Sequence, residues 1–415
     1  MGQNYETLEA GGYFKKISVS PSLLAITQES VAQVKKEKKI LVVGIPRESS
    51  SQERRVPLTP TVVALLVNNG AEVIIEHHAG LDAGFSDKEY SEAGAIISYS
   101  KVEVFEKADI IVKIERPNYQ EIEYLRNRQI LISALHLGSL TTDFLKAIIQ
   151  KNVTAIGYEF LRAEDGGIPI MQMMSEIAGI NAIHIAAELM TSNKGGKGML
   201  LGGITGVPPT VVTIIGAGTV GFNAARSALA LGATVKVIDD EVYKLRRLEE
   251  KLGTKIYTAV AQPQFIEEAV VSSDVIIGAI YKPGQKTPCL VTEEMIMKMK
   301  EGSVAIDIAI DQGGCFETSR PTTHENPTFI KHGVIHYCVP NIASRVPHTS
   351  SIALSNILGS ILLKIINYGG IGVLQNSTII KNGIYCHHKH ITNKYLAKIF
   401  GMDYIDISLL HASNF

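Results

Sequence analysis

Paired cysteines are missing from this 415-residue sequence: the four it has, Cys289, Cys315, Cys338 and Cys386, are scattered without metal-ligand spacing. A disulfide scaffold is therefore excluded, a chain of this length has no need of one, and reduced thiols in a cytoplasmic setting are expected. Net charge is almost absent as well. Forty Lys and Arg face 41 Asp and Glu, a formal −1 at pH 7, so no overall field favours nucleic acid. The N-terminus lacks the unbroken apolar core of a secretory signal, and Glu6 and Glu9 argue against a transit peptide. Residues 1–39, closing on the charge run from Lys35 to Lys39, read as an N-terminal extension. No membrane span is expected: Ser351 to Tyr368, the most apolar stretch, is interrupted by Asn356, Ser360 and Lys364. Its Leu and Ile residues recur at three- and four-residue intervals, the pattern of a packed helix. No tandem repeat or low-complexity tract points to a solenoid or a disordered hub.

What is present is alternation. Short apolar runs at Ile40–Gly44, Glu72–Glu76, Asp109–Val112, Ile130–Leu135 and Thr154–Tyr158 alternate with helix-like stretches, which implies a parallel sheet covered by helices. The theme restarts at Val211–Ile215, Thr234–Ile238, Val275–Ile280, Val304–Ile310 and Ile335–Val339, after a glycine-rich approach at 195–203. The expected fold is α/β: two Rossmann-like, doubly wound parallel-sheet domains with an interdomain cleft. Residues 40–169 would form a substrate domain, 170–347 a dinucleotide-binding domain, and 348–415 would return to complete the first.

The strand Val211–Ile215 runs straight into Gly216-Ala-Gly218-Thr219-Val220-Gly221 and then into a helical stretch. In this motif the first glycine makes a tight turn, the second admits a pyrophosphate to the backbone, the third lets helix and strand pack closely, and the helix N-terminus faces the phosphates. The motif alone is a weak signal, and a glycine turn that merely tightens the junction is the bland alternative. The next strand, however, ends at Asp239, placed to accept hydrogen bonds from a ribose. The same carboxylate would repel a 2′-phosphate, which favours NAD over NADP.

Three further residues sit where an open parallel sheet puts its ligands, just beyond strand ends. Arg55, in the loop after the first strand, could clamp a carboxylate with its fork or simply pair with Glu53 or Glu48. His136 could donate to a carbonyl and exchange a proton, or serve as a hydrogen-bonded structural histidine. Asp311, before Gln312-Gly313-Gly314, could orient a water or ammonia at the cleft lip, or bond its own backbone in a turn. The cluster from Cys386 to His390 is too crowded for a metal site, His77-His78 reads as polar loop, and Cys315 as a small buried residue. No metal is expected.

Taken in order, Gly44-Ile-Pro with Arg55-Val, Leu135-His136-Leu137, Met174-Ser175-Glu176-Ile-Ala-Gly179, the Gly216 turn, the run Asp307 to Phe316, and Arg320-Pro-Thr-Thr resemble the alanine dehydrogenase family, related to the transhydrogenase alpha subunit. The likeness runs from about Ile40 to Ile361. It implies reversible NAD-dependent oxidation of L-alanine to pyruvate and ammonia through an imine and a carbinolamine. It also implies roles: Arg55 on the substrate carboxylate, His136 at the pyruvate carbonyl, Asp311 in catalysis, Asn341 beside nicotinamide and substrate, Ser175 on cofactor phosphate, Asp239 on ribose. A homo-oligomer, hexamer or dimer, is implied, with no membrane or nucleic-acid partner. The transhydrogenase component lacks the histidine and aspartate matching His136 and Asp311.

The match breaks at one place. The family carries Lys-Val-Lys-Glu-Pro where this chain has Lys113-Ile114-Glu115-Arg116-Pro117, so Glu115 stands where a substrate-binding lysine is expected. A carboxylate about 4 Å from the substrate's costs several kcal/mol at an effective dielectric near 20. Lys113 could substitute from two residues away, Glu115 could be protonated, or it could bind an amino or ammonium group. The same departure leaves open a related hydride-transfer activity, or an NAD-binding regulatory module without turnover.

Overall fold

Alternating strands and helices build two open, mainly parallel sheets in the computed structural model, which describes residues 40–163, 165–282, 286–372 and 377–412. The N-terminal extension expected over 1–39 lies outside the described residues. The first sheet takes β1 (Val42–Ile45), β2 (Glu72–Glu76), β3 (Ile96–Ser98), β4 (Ile110–Val112), β5 (Ile130–Ser133) and β6 (Thr154–Gly157). The second takes β7 (Val211–Ile215), β8 (Thr234–Asp239), β9 (Tyr257–Val260), β10 (Val275–Gly278), β11 (Val304–Asp307), β12 (Thr328–Lys331) and β13 (Val334–Tyr337). The tail then adds β14 (Ile384–His387) and β15 (His390–Ile391) to the first sheet, with β14 antiparallel to β6.

Strand order is β15-β14-β6-β5-β4-β1-β2-β3 in the first sheet and β12-β13-β11-β10-β7-β8-β9 in the second. The parallel run of each order reverses direction once, between β1 and β4 and between β7 and β10, and a crevice opens at the carboxyl ends of the strands at such a point. Every residue of β4, β5, β6, β10, β11 and β13 is buried, the pattern of parallel strands covered on both faces. Val43, Ile45 and Leu66 belong to the core on one face of the first sheet, and Phe105, Ile111 and Leu131 to the core on the other.

The helix Pro347–Asn367 is, among the described residues, the one long and apolar enough to cross a membrane, yet its Leu354, Leu358, Leu362 and Ile365 are buried in the core of the first sheet. Burying each leucine contributes about 1.5–3 kcal/mol. Its serines also hold backbone, since Ser351 Oγ accepts the Val56 N–H at 3.0 Å and Ser355 Oγ the Thr59 N–H at 2.9 Å. The loop that carries Arg55 is thereby pinned to a helix almost 300 residues away.

Several strands end earlier than their apolar runs suggest. β11 stops at Asp307, and Ile308–Gln312 winds into a 3-10 turn whose start is capped by Asp307 Oδ1 accepting the Ala309 N–H at 3.1 Å. Asp311 therefore sits on a turn and does not close a strand. β3, β9 and β12 carry no clear strand pattern in the sequence: they are short edge elements, and β9 and β12 have no fully buried position.

Candidate active site

Arg55 emerges from the loop after β1 almost fully buried, in the two-pronged grip of Glu53: Nε to Oε1 at 2.7 Å and Nη2 to Oε2 at 2.5 Å. Burial alone would raise the Glu53 pKa, but the guanidinium outweighs it and holds the carboxyl below its ordinary range. The pairing anticipated as the bland alternative for Arg55 thus exists, and it is part of the cleft. Asn341, following β13 on the other sheet, donates Nδ2 to Glu53 Oε2 at 2.5 Å, and its N–H reaches Asp311 Oδ1 at 3.1 Å. One chain of contacts joins Arg55, Glu53, Asn341 and Asp311 across the two sheets.

His136 follows β5 in a left-handed conformation, φ 51°, ψ 67°. Such a conformation is costly for a side chain of this size, about 1–3 kcal/mol. It is held by Glu159, a buried carboxylate after β6 that accepts the N–H groups of Leu135 at 2.8 Å and His136 at 2.7 Å. His136 Nε2 is buried and has no hydrogen-bond partner among the described residues, leaving it available to a ligand atom. Burial first, then the guanidinium groups of Arg55 and Arg116, lower its pKa to about 4. The imidazole is therefore neutral at physiological pH, not poised near neutrality as its residue type suggests. A methyl group added to Gly138 would lie 3.0 Å from the Asp311 carbonyl oxygen, so the His136 and Asp311 turns touch. Asp311 is exposed by surface area, yet protein packs densely around its carboxyl. That desolvation pushes its carboxyl to about 6, against the opposing pull of the Asn341 N–H and Arg55.

Lys113, expected to help hold a substrate, is 1% exposed and engaged elsewhere. Its Nζ lies 2.9 Å from Glu48 Oε2 and 3.3 Å from Glu121 Oε1. Burial alone would lower its pKa, but the two carboxylates outweigh it and keep the ammonium charged. It cannot reach a substrate without leaving both partners. Glu115, two residues on, is half-buried just past the carboxyl end of β4. Burial, then Glu53 and Glu48, push its carboxyl up to about 7, against the opposing pull of Arg55 and Lys113.

On the second sheet the glycine turn sits between β7 and the helix Thr219–Ala230, at the β7/β10 switch. Gly216 has φ +116°, and a Cβ there would meet the Ala279 carbonyl oxygen at 2.5 Å. A Cβ on Gly221 would stand 1.8 Å from the Gly216 oxygen, whereas one on Gly218 would meet nothing within 4 Å. Two glycines are thus forced by packing and the third faces open space, as a pyrophosphate cradle requires. Thr219 is exposed and Val220 half-buried at the helix start. Asp239 ends β8, with Oδ2 accepting the Ala217 N–H at 2.7 Å and Oδ1 the Glu241 N–H at 2.9 Å. Its position knits the turn together and leaves carboxylate lone pairs for a hydroxyl. Ser175 lies half-buried on the helix Pro169–Leu189, one turn before Gly179. A Cβ on Gly179 would come 2.3 Å from the Val220 carbonyl oxygen, so that helix packs closely on the one opening at Thr219.

Glu53, Glu159 and Asp307 are the residues that sequence reasoning did not assign. Asp307 is buried and accepts the Cys315 N–H at 2.9 Å and the Ser319 hydroxyl at 2.6 Å, forming the base on which the Asp311 turn rests. An acidic residue at a strand end was the available signal, but nothing local says which backbone it will bind. Cys315 is fully buried, and burial raises its thiol pKa. Cys386 and His387 lie in β14, where His387 Nδ1 pairs with Thr154 Oγ1 at 2.8 Å. His77, His78 and Asp87 gather after β2, with His77 Nδ1 2.6 Å from Asp87 Oδ2.

Two mainly parallel sheets, a cradle for a dinucleotide on one and an Arg–His–Asp cleft reached from both, define a dinucleotide-dependent dehydrogenase class. Residues 44–178 match the family described as Alanine dehydrogenase/PNT, N-terminal domain, and residues 182–394 match Alanine dehydrogenase/PNT, C-terminal domain. The alanine dehydrogenase of Bacillus subtilis (strain 168) is 42% identical over 366 residues, 88% of this chain and 96% of that protein. Alanine dehydrogenase 2 of Staphylococcus aureus (strain USA300) is 42% identical over 87% of this chain and 97% of its own length. Among solved structures, an L-alanine dehydrogenase matches with a TM-score of 0.82 and 35% identity, covering 87% of this chain and 99% of that one. A transhydrogenase from Sinorhizobium meliloti shares the fold, with a TM-score of 0.73 at 24% identity. The chain belongs to the alanine dehydrogenase/PNT family. It is an enzyme of that oxidoreductase family, which implies a nicotinamide cofactor.

Proposed function

We propose that this enzyme is an NAD-dependent alanine dehydrogenase, interconverting L-alanine with pyruvate and ammonia. The observation that carries the reading is the contact chain from Arg55 through Glu53 and Asn341 to Asp311, with His136 Nε2 left without a partner beside it. Residues 40–169 with 348–415 form the substrate side and 170–347 the NAD side. NAD, when bound, supplies the hydride acceptor. Gly216, Gly218, Thr219, Val220 and Gly221 line its pyrophosphate cradle, Ser175 contributes a hydroxyl, and Asp239 takes the ribose.

Arg55 holds the substrate carboxylate by exchanging part of its grip on Glu53. Lys113 acts through its field from behind Glu48, not by contact. Neutral His136 donates a hydrogen bond to the carbonyl oxygen of pyruvate and stabilises the negative charge that develops there. Asp311 orients the attacking ammonia or water, and Asn341 bridges the two sides. Positioning of this kind accounts for a large part of such a rate enhancement. The four cysteines are free thiols, in keeping with a cytoplasmic enzyme, and we infer a homo-oligomer, hexamer or dimer.

The test is NADH oxidation with pyruvate plus ammonium, followed by glyoxylate and other short oxo acids. Turnover with pyruvate fastest is the expected result. NADH binding without turnover on any oxo acid would favour the regulatory module that Glu115 suggests. Hydride exchange with an added NADP-binding partner would favour the transhydrogenase class.

A further inference from the structure

The two buried cations on the substrate side of the cleft, Arg55 and Lys113, are already matched by carboxylates. Arg55 is held by both oxygens of Glu53, Lys113 by Glu48 and Glu121, and Arg116 turns Nη1 to the Leu135 carbonyl at 3.1 Å. Glu115 has no such partner: its carboxylate makes no hydrogen bond among the described residues. Its backbone place is set firmly, because Ile114 N–H donates to Glu48 Oε1 at 2.7 Å and the Ala134 N–H to the Ile114 carbonyl at 3.0 Å. A substrate carboxylate drawn to Arg55 would enter where three carboxylates, Glu48, Glu53 and Glu115, already act against two cations, Arg55 and Lys113. Water excluded on entry strengthens every uncompensated charge that remains.

Resting on the alanine dehydrogenase reading, we propose that an oxo acid enters this cleft together with one proton, which Glu115 takes from solvent so that a neutral carboxyl lies beside the substrate's negative end. The O–H bond forms on a Glu115 oxygen as the corresponding bond breaks in a hydronium ion or buffer acid, no bond of the substrate changes, and the charge brought by the substrate is cancelled. Glu115 then becomes a hydrogen-bond donor to the substrate, a role complementary to the lysine usual at this place.

The charged groups that act most strongly on Glu115 are Glu48, Glu53 and Arg55 from the loop after β1 and Lys113 from its own segment. With its carboxyl at about 7 in the free enzyme, it is mostly ionised above that pH and must regain its proton on binding. His136, at about 4, and Asp311, at about 6, titrate lower in the free enzyme, and substitution of Glu115 separates any proton they take up from this step. The linkage has a fixed sign: the complex holds more protons than the free enzyme, so oxo-acid affinity falls as pH rises above about 7, by up to about tenfold per unit.

The experiment is calorimetric titration of the NADH-loaded enzyme with oxamate, a pyruvate-like carboxylate, at about pH 8 in two buffers of different protonation enthalpy. Native enzyme should take up close to one proton per oxamate. Glu115→Gln should take up almost none, bind more tightly at that pH, and show a flat affinity from about pH 7 to 9. Glu115→Lys should behave likewise, with affinity raised at least about tenfold, so that the inference does not hang on a single variant. NADH binding by each variant certifies its fold. Oxamate binding to native enzyme without proton uptake, or the same uptake by Glu115→Gln, would overturn the inference and leave the dehydrogenase reading standing. No oxamate binding to any NADH-loaded form would remove both.

Discussion

Glu53→Gln is the perturbation that most directly tests the cleft. Glu53 accepts four hydrogen bonds: Arg55 N–H at 3.0 Å, Arg55 Nε at 2.7 Å, Arg55 Nη2 at 2.5 Å and Asn341 Nδ2 at 2.5 Å. Its side chain is fully buried, and that of Arg55 is 6% exposed. Glutamine keeps the shape but has one acceptor oxygen, so its amide nitrogen must face Arg55 or Asn341, donor against donor. Removing one partner of a buried pair costs about 3–5 kcal/mol, because the other charge is left uncompensated. Glu115 and Glu48 also act on Arg55, and Glu115 ionises more readily once Glu53 is neutral. The loss should therefore fall at the lower end, about 3 kcal/mol. The chain has no tryptophan, so urea unfolding is followed by far-ultraviolet circular dichroism. A double-mutant cycle with Arg55→Met isolates the pair, provided the denaturant slope is unchanged. The double variant should be more stable than the two single losses predict by about 2 kcal/mol. Additivity within about 0.5 kcal/mol would refute the claim that this pair anchors the cleft.

Asp311→Asn should abolish the acid limb of the pH profile for alanine oxidation. In the native enzyme the carboxyl at about 6 must be ionised, so kcat/KM falls as pH drops through that value, and the variant should lose about 10²–10⁴ in rate. An unchanged acid limb would assign it elsewhere. His136→Ala should lower kcat by about 10²–10⁴ while moving KM little, and a variant with native turnover removes His136 from the chemistry. Gly221→Ala places a methyl 1.8 Å from the Gly216 oxygen. Relieving such overpacking costs about 1–3 kcal/mol, so NADH affinity should fall about 5- to 150-fold in a fluorescence titration; native affinity would mean that this turn is not the cradle.

The strands whose both faces are buried were legible because nearly every residue in them is apolar, and β2 and β7 run over the residues their apolar patterns mark. The glycine turn was legible for the same local reason: φ +116° at Gly216 and the contact at Gly221 are demands that adjacent residues make on one another. Edge strands such as β9 and β12, half-covered and without a clean alternation, carry no such mark. The tail shows only a crowded Cys-His cluster in the sequence, yet β14 pairs with β6, some 230 residues away, through Thr154 and His387.

The amino-acid order alone determined the two parallel-sheet patterns, the cofactor turn and the departure at Glu115, all of which are matters of spacing and residue type. Only the tertiary structure decided that Glu53 grips Arg55 with both oxygens, that Lys113 is taken by Glu48 and Glu121, that Glu159 holds His136 in its left-handed turn, and that His136 is neutral. Charge state and hydrogen-bond partner depend on burial and on groups brought together from distant segments, and neither is encoded within a window of neighbouring residues.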